Sequence, residues 1–213
     1  MFRLDNTEED ITRAKKNRQK YKIPMAANNS LPTEKIILGL DPGTQVFGYG
    51  VLLQKGREVQ AVQMGVVRLE KFRSHEIRLA KIYEKVTQLI EEFLPDEMAI
   101  EAPFFGKNVQ SALKLGRAQG VSMAAAIARQ IPMVEYSPKT VKQSVTGNGN
   151  ASKEQVAAMV VRLLKINPEN FLMDATDALA IALTHLNQGG KKQESSGGWE
   201  QFLKANAGRI KNT

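Results

Sequence analysis

The sequence of 213 residues contains no cysteine and only two histidines, His75 and His185. The absence of cysteine excludes disulfide bonds, thiolate metal ligands and a cysteine nucleophile. Two histidines argue against a histidine-based zinc site. No apolar stretch approaches the roughly 20 residues that a membrane-spanning helix needs, and the polar N-terminus lacks the apolar segment of a signal peptide. We therefore expect a cytoplasmic protein without a membrane partner, whose chemistry depends on oxygen ligands.

Positive charge exceeds negative charge in this chain, with 30 lysine and arginine residues against 22 aspartate and glutamate residues. The formal net charge is +8 at pH 7. Much of the excess lies between residues 102 and 153, where seven basic residues are opposed by the single acid Glu135. Such a basic stretch suits a polyanionic partner such as nucleic acid, although net charge alone is a weak indication.

The two ends of the chain differ in composition from its centre. Residues 1–34 are polar and of mixed charge, and they are expected to form a flexible N-terminal extension. Met25 is an alternative start, and under that hypothesis the residues before it are not native. Residues 188–213 include GGKKQESSGG ahead of Trp199 and are expected to form a flexible tail to which we assign no role. Residues 35–187 remain as one domain, long enough to bury a core of its own.

The centre of the chain alternates between strand and helix patterns, which predicts an α/β fold. Short apolar runs predict strands at residues 36–40, 49–53, 59–69, 98–101 and 133–136. Helical spacing of apolar residues predicts helices at 76–94, 111–129, from 138 onward, 152–165 and 174–186. The first three strands are expected to form an antiparallel meander. Ser137 followed by Pro138 predicts a capped helix start, and Ser152 with Gln155 predicts a capping box.

Four acids lie in or next to apolar segments, where burial alone would not favour them. Asp41 ends the run IILGLD, Glu101 ends the run MAIE, and Asp174 and Asp177 lie three residues apart in MDATDALAIAL. The spacing of the last two places both on one face of a helix. If the fold brings the four together, each pair about 4 Å apart would repel by about 4 kcal/mol at an effective dielectric constant of 20.

Protons or divalent cations relieve such repulsion, and hard oxygen ligands favour Mg²⁺, with Mn²⁺ as a possible substitute. A strand-end Asp, a strand-end Glu and a helical Asp pair suit two Mg²⁺ ions about 3.5–4 Å apart, as in metal-dependent phosphodiester hydrolysis. Taken singly, each acid also has a structural explanation as a turn former, a strand-edge charge or a helix-start residue. The pattern of all four favours a metal-dependent enzyme.

Four longer segments resemble the RuvC family of Holliday-junction resolvases: ILGLDPGTQVFGYGV, AIEAPFFGKNVQSALKLGRAQGV, EYSPKTVKQSVTGNGNASKEQV and DATDALAIALTHL. The resemblance spans residues 35–187. It implies an RNase H-like fold with a five-stranded mixed sheet flanked by helices, a homodimer, and Mg²⁺-dependent paired nicking of four-way DNA junctions in recombination and repair. Under this resemblance, the family's catalytic and metal-binding acids are matched by Asp41, Glu101, Asp174 and Asp177.

The resemblance also suggests which residues contact DNA. Phe104 matches an aromatic residue that family members insert against bases at the junction centre, although a role as a core aromatic is an equally good reading of the sequence. Lys142 and Lys153 match family lysines near the scissile phosphate. Lys107, Lys114 and Arg117 belong to the basic stretch that follows Glu101. The small-residue helix after Ser111 is the expected dimer interface.

Several alternatives stay open at the level of sequence. The segment LGLDPGT alone also fits sugar kinases and actin-like ATPases, but these need a second nucleotide-binding lobe. A YqgF-type RNA-processing nuclease is closer in size and fold, and a non-catalytic junction-binding protein is a further possibility. Docking of RuvA/RuvB-type branch-migration proteins is left open. For His185 we expect a hydrogen-bonded structural role at a helix end.

Overall fold

A computed structural model describes residues 34–103, 109–167 and 173–189, together with the backbone of residues 2–3. The strands are β1 (Phe2–Arg3), β2 (Glu34–Asp41), β3 (Val46–Lys55), β4 (Glu58–Arg68), β5 (Glu97–Glu101) and β6 (Met133–Tyr136). The helices are α1 (His75–Phe93), α2 (Val109–Ile127), α3 (Pro138–Thr146), α4 (Lys153–Leu164) and α5 (Met173–Asn187). Phe104, Lys107 and Trp199 lie outside the described residues.

The strands form one mixed sheet in the order β1-β4-β3-β2-β5-β6. The antiparallel pairs β2–β3 and β3–β4 confirm the predicted meander. β5 pairs in parallel with β2, and β6 pairs in parallel with β5. The five predicted strands are therefore all present in a mixed sheet. The structure adds β1, a two-residue strand that pairs antiparallel with the edge of β4 and so satisfies part of its exposed backbone.

Alternation of side chains along the strands divides the core into two layers. On one face, Ile37, Leu52, Met64 and Ala99 pack against α3, α4 and α5. On the other face, Leu38, Leu40, Val51 and Ile100 pack against α1 and α2. Because residues 37, 39 and 41 share one side of β2, Asp41 lies on the face that α5 covers.

Helix boundaries agree with the local capping patterns. Ser137 accepts a hydrogen bond from the backbone N–H of Thr140 at 3.1 Å, with Pro138 at the first helical position. Ser152 and Gln155 form the predicted capping box at the start of α4. α1 ends at Phe93, and Leu94 adopts the left-handed conformation with φ of 47° just before Pro95. Among the helices described, there is none with both the length and the apolar character needed to cross a membrane.

Candidate active site

Asp41 and Glu101 are placed side by side by the parallel pairing of β2 and β5. The register pairs Leu40 with Ile100, so the next residue of each strand, Asp41 and Glu101, occupies the same edge of the sheet. Both strands end there, and their last side chains point to the face covered by α5. The two carboxyl groups are near enough to influence each other, because the negative charge of Glu101 is one of the causes, after burial, that raise the pKa of Asp41.

The first turns of α5 supply the other two acids. α5 begins at Met173 and packs across β2 and β3. One carboxylate oxygen from each of Asp41, Asp174 and Asp177 lies within 4.8 Å of the others. Residues 133 positions apart in the chain are thereby brought into one acidic group, and Glu101 lies beside Asp41 at the same edge of the sheet.

The carboxylates of this group would repel one another if all of them were ionised without a bound cation. Burial, followed by the negative charges of Glu101 and Asp177, holds the pKa of Asp41 well above its ordinary value. Burial is also the largest cause that raises the pKa of Glu101. Asp41 and Glu101 therefore bind protons more readily than isolated carboxylates do, which is the behaviour expected of acids that a cation would neutralise.

Two lysines lie beside the acids. Lys153, the first residue of α4, places its Nζ 3.0 Å from Oδ2 of Asp177. This hydrogen bond is the main cause that raises the pKa of Lys153. Lys142 on α3 and Lys153 both line a cavity of about 410 Å³ beside the acids. Burial raises the pKa of Glu101, whereas the charge of Lys142 lowers it. The capping box at Ser152 fixes the start of α4 and with it the position of Lys153.

The donor set fits a hard divalent cation. Three carboxylates converge within 4.8 Å, and their oxygens are the ligands that Mg²⁺ and Mn²⁺ prefer. Burial, and after it the negative charges of Glu101 and Asp177, raise the pKa of Asp41. The cavity beside them is lined by both acidic and basic residues: Asp41, Glu101, Lys142, Lys153 and Asp177. Such a cavity can accept a phosphate between its lysines and any cations held by its acids.

The other residues suggested for DNA contact are distributed differently. Lys114 and Arg117 are exposed on α2, the helix that covers the opposite face of the sheet from α5. The pKa of Glu76 in the first turn of α1 is lowered mainly by its hydrogen bond with Ser74, and the charge of Arg117 contributes least. Phe104 and Lys107 belong to residues 104–108, outside the described ranges. The structure therefore places Lys142 and Lys153, but neither Lys114 nor Arg117, in the cavity beside the acids.

Two interactions support the site and the helix that carries its acids, and the first was missed by the sequence analysis. Gln119 of α2 is buried and donates from Nε2 to Glu135 at 2.8 Å and to the backbone carbonyl of Glu101 at 3.4 Å. This side chain braces the end of β5 that carries Glu101. In the sequence it is one polar residue in a helix of small residues, and only the tertiary contact distinguishes it from a solvent-exposed position.

The second supporting interaction involves the buried His185 near the end of α5. Its Nδ1 lies 2.9 Å from the hydroxyl of Tyr136, and its Nε2 hydrogen-bonds the carboxylate of Glu97, which also pairs with Lys35 at 2.7 Å. The expectation of a hydrogen-bonded structural histidine is confirmed. This network ties the C-terminal end of α5 to the sheet, at the opposite end of the helix from the acids.

Comparison with known proteins places the chain among resolvases. A family model described as crossover junction endodeoxyribonuclease RuvC matches residues 37–185. RuvC from Cytophaga hutchinsonii is 56% identical over 188 residues, covering 88% of this chain and 94% of that protein. RuvC from Porphyromonas gingivalis is 57% identical over 187 residues, covering 84% of this chain and 99% of that protein.

Comparison with solved structures agrees with these sequence matches. The structure of RuvC from T. thermophilus in complex with a Holliday junction substrate matches with a TM-score of 0.68 and 33% identity, over 73% of this chain and 94% of that one. A yeast mitochondrial Holliday junction resolvase, 18% identical with a TM-score of 0.58 over 75% of this chain and 80% of that one, supports the fold alone. With a family match that spans nearly the whole described core and carries all four acids, the chain belongs to the RuvC family of crossover junction endodeoxyribonucleases.

Proposed function

We propose that this protein is a structure-selective endonuclease that resolves four-way DNA junctions by paired, symmetric hydrolysis of phosphodiester bonds in recombination and repair. The observation that carries this proposal is the convergence of Asp41, Asp174 and Asp177 within 4.8 Å in a member of the RuvC family. Carboxylates brought this close are costly unless they hold cations. The basic residues of the neighbouring cavity are suited to a phosphate backbone.

We propose that Asp41, Glu101, Asp174 and Asp177 hold two Mg²⁺ ions, with Mn²⁺ as a substitute. When bound, such ions would supply activation of a water molecule and stabilisation of the leaving 3′-oxygen. The protein's own acids orient this chemistry at the edge of the sheet, where Gln119 and the parallel register of β2 and β5 hold Glu101 beside Asp41. No covalent intermediate on the protein is required.

Lys153 and Lys142 act on the substrate side of the site. Lys153 forms an ion pair with Asp177 at 3.0 Å. We propose that Lys153 would hold a phosphate oxygen instead when Asp177 holds a cation. Lys142 lines the same cavity and adds a second positive charge. Charge-assisted hydrogen bonds of this kind stabilise negative charge that develops on the phosphate during cleavage.

We also propose that the protein acts as a homodimer through one side of α2. Val109, Leu113 and Ile127 are exposed by 68%, 51% and 64%, and an added Cβ at Gly116 or Gly120 would meet open space. These positions recur at the intervals of a single helix face. A two-fold dimer would place two equivalent sites on one junction and so account for symmetric cuts. A cytoplasmic location accords with this proposal.

Incubation with three substrates tests the proposed function. A synthetic four-way DNA junction, a linear duplex of the same sequence and a matching RNA are each treated with protein in Mg²⁺, in Ca²⁺, and with D174N protein in Mg²⁺. We expect symmetric paired nicks only on the junction, only with Mg²⁺ and intact Asp174. Junction binding without cleavage under every condition would indicate a binding protein instead, and cleavage confined to RNA would indicate an RNA-processing nuclease.

A further inference from the structure

α5 lies closer to the sheet at Gly48 than any side chain would allow. A Cβ built on Gly48 would lie 2.1 Å from the backbone oxygen of Asp174 and 3.0 Å from its carbonyl carbon. Gly48 is not among the glycines with positive φ, which are Gly56, Gly147 and Gly189 in the described part of the chain. The position therefore requires glycine for space and not for backbone conformation.

Gly48 also neighbours the first acid of the site. In the antiparallel pair β2–β3 it lies directly opposite Asp41, and its added Cβ would lie 3.4 Å from the Cβ of Asp41. Gly48 thus lies next to Asp41 on β2 and also against the helix turn that carries Asp174. The distance between these two acids depends on how closely the helix approaches at this point.

The close approach continues for another turn of the helix. A Cβ on Gly39 would lie 2.1 Å from the backbone oxygen of Ala178 and 2.9 Å from the Cβ of Ala182. Asp174, Ala178 and Ala182 are spaced four residues apart and so lie along one side of α5. The backbone of α5 therefore packs directly against Gly48 and Gly39, and this contact sets the distance between the helix and the sheet.

We infer that Gly48 is a positioning residue for the metal site: by admitting the backbone of Asp174 against β3, it sets the height at which the Asp174 and Asp177 carboxylates meet Asp41. This inference rests on the proposed function, because it assumes that the acids hold metal. A methyl group at position 48 would push the first turn of α5 away by about 1 Å, since a Cβ does not come within 3.0 Å of such an atom. A set of three carboxylates whose oxygens lie within 4.8 Å of one another is sensitive to a displacement of this size.

The test compares G48A with a control that overpacks the same sheet elsewhere. In G65A the new methyl group would meet the hydroxyl of Tyr49 at 2.4 Å, on the face of the sheet that α1 and α2 cover. Both variants are expected to lower the melting temperature in EDTA. Only G48A is expected to weaken Mn²⁺ binding, by about tenfold or more in titration calorimetry, and to slow junction cleavage in Mg²⁺ by about 100-fold.

A second variant distinguishes displacement of the acids from general damage. D174E lengthens the side chain by one carbon–carbon bond of about 1.5 Å. In the wild-type background D174E is expected to weaken Mn²⁺ binding, because the longer side chain places its carboxylate beyond the position of the wild-type carboxylate. In the G48A background it is expected to restore part of the lost affinity, because the longer side chain reaches back across the widened gap. A reversal of sign between the two backgrounds is a coupling that loss of packing alone does not produce.

The outcomes separate this inference from the proposed function. Absence of Mn²⁺ binding by the wild-type protein would overturn both. Binding by the wild-type protein and equal binding by G48A would overturn the positioning role alone, as would an equal loss in G65A. A G48A protein that fails to fold would also overturn it, because the inference confines the displacement to the first turn of α5.

Discussion

Replacing Asp41 by Asn is expected to abolish cleavage and, at the same time, to stabilise the metal-free protein. Asn has nearly the same shape as Asp but no charge. Asp41 is the acid whose pKa is raised by burial and by the charges of Glu101 and Asp177. A carboxyl group with a raised pKa in the folded state contributes stability below its unfolded pKa, and that contribution is lost as pH rises through the folded pKa. At neutral pH the ionised Asp41 is therefore a net cost.

The geometry bounds the size of this cost. At 4.8 Å and an effective dielectric constant of 20, one pair of like charges repels by about 3.5 kcal/mol. Partial protonation and the nearby charge of Lys153 reduce the net effect. We expect D41N to be more stable than the wild-type protein in EDTA at pH 7.5 by about 2 kcal/mol, which corresponds to a rise of about 4–8 °C in melting temperature for a chain of this size.

Thermal melts followed by circular dichroism test this expectation at pH 7.5 and pH 5, in EDTA and in Mg²⁺. The advantage of D41N should shrink at the lower pH, where the wild-type group takes up protons, and Mg²⁺ should stabilise the wild-type protein more than the variant. E58Q, which removes an exposed negative charge away from the site, serves as the control and should show no such gain. A D41N protein less stable than wild type in EDTA at pH 7.5 would refute the charge-repulsion argument.

Three further predictions concern residues around the site. K153M is expected to lower the single-turnover cleavage rate by about 100-fold or more, because it removes a donor beside Asp177 that we place near the phosphate; an unchanged rate would exclude Lys153 from the reaction. L113D is expected to convert a dimer into a monomer in analytical ultracentrifugation while leaving the melting temperature within a few degrees, because Leu113 is exposed on α2. H185L is expected to destabilise the protein by about 1–3 kcal/mol, because it removes the partner of the Tyr136 hydroxyl and one of the two partners of Glu97. Burial lowers the pKa of His185. The contribution of His185 to stability should therefore be present above pH 6.5 and lost as pH falls through the lowered folded pKa. Denaturant unfolding at pH 5 and pH 7.5 should show a smaller difference in stability between wild type and H185L at pH 5.

The elements and their ends could be predicted from the sequence because the signals are local. The strands at residues 98–101 and 133–136 follow from short apolar runs, and the structure has them at Glu97–Glu101 and Met133–Tyr136. The capping box at Ser152 depends only on residues within four positions of one another. The family resemblance added the expectation of a mixed sheet flanked by helices, and the structure confirms it.

The identity of the acids was also legible in the sequence, because a carboxylate at the end of an apolar run is conspicuous. Their arrangement was not. Asp41, Asp174 and Asp177 form one group of carboxylates, while Glu101 joins through Asp41, and this difference depends on the register of β2 with β5 and on the height of α5. Lys142 and Lys153 enter the cavity, whereas Lys114 and Arg117, equally basic in the sequence, lie on the helix that covers the other face.

By itself, then, the sequence determined the types of chemical group, the secondary structure and the family, since each depends on residue identity and short spacing. Only the tertiary structure decided which charges meet. Gly48 illustrates the reason: in the sequence it is a small residue in a strand, whereas in the fold it is the place where β3 and the first turn of α5 approach too closely for a methyl group. Distances between carboxylates far apart in the chain are set by such contacts, and no local pattern encodes them.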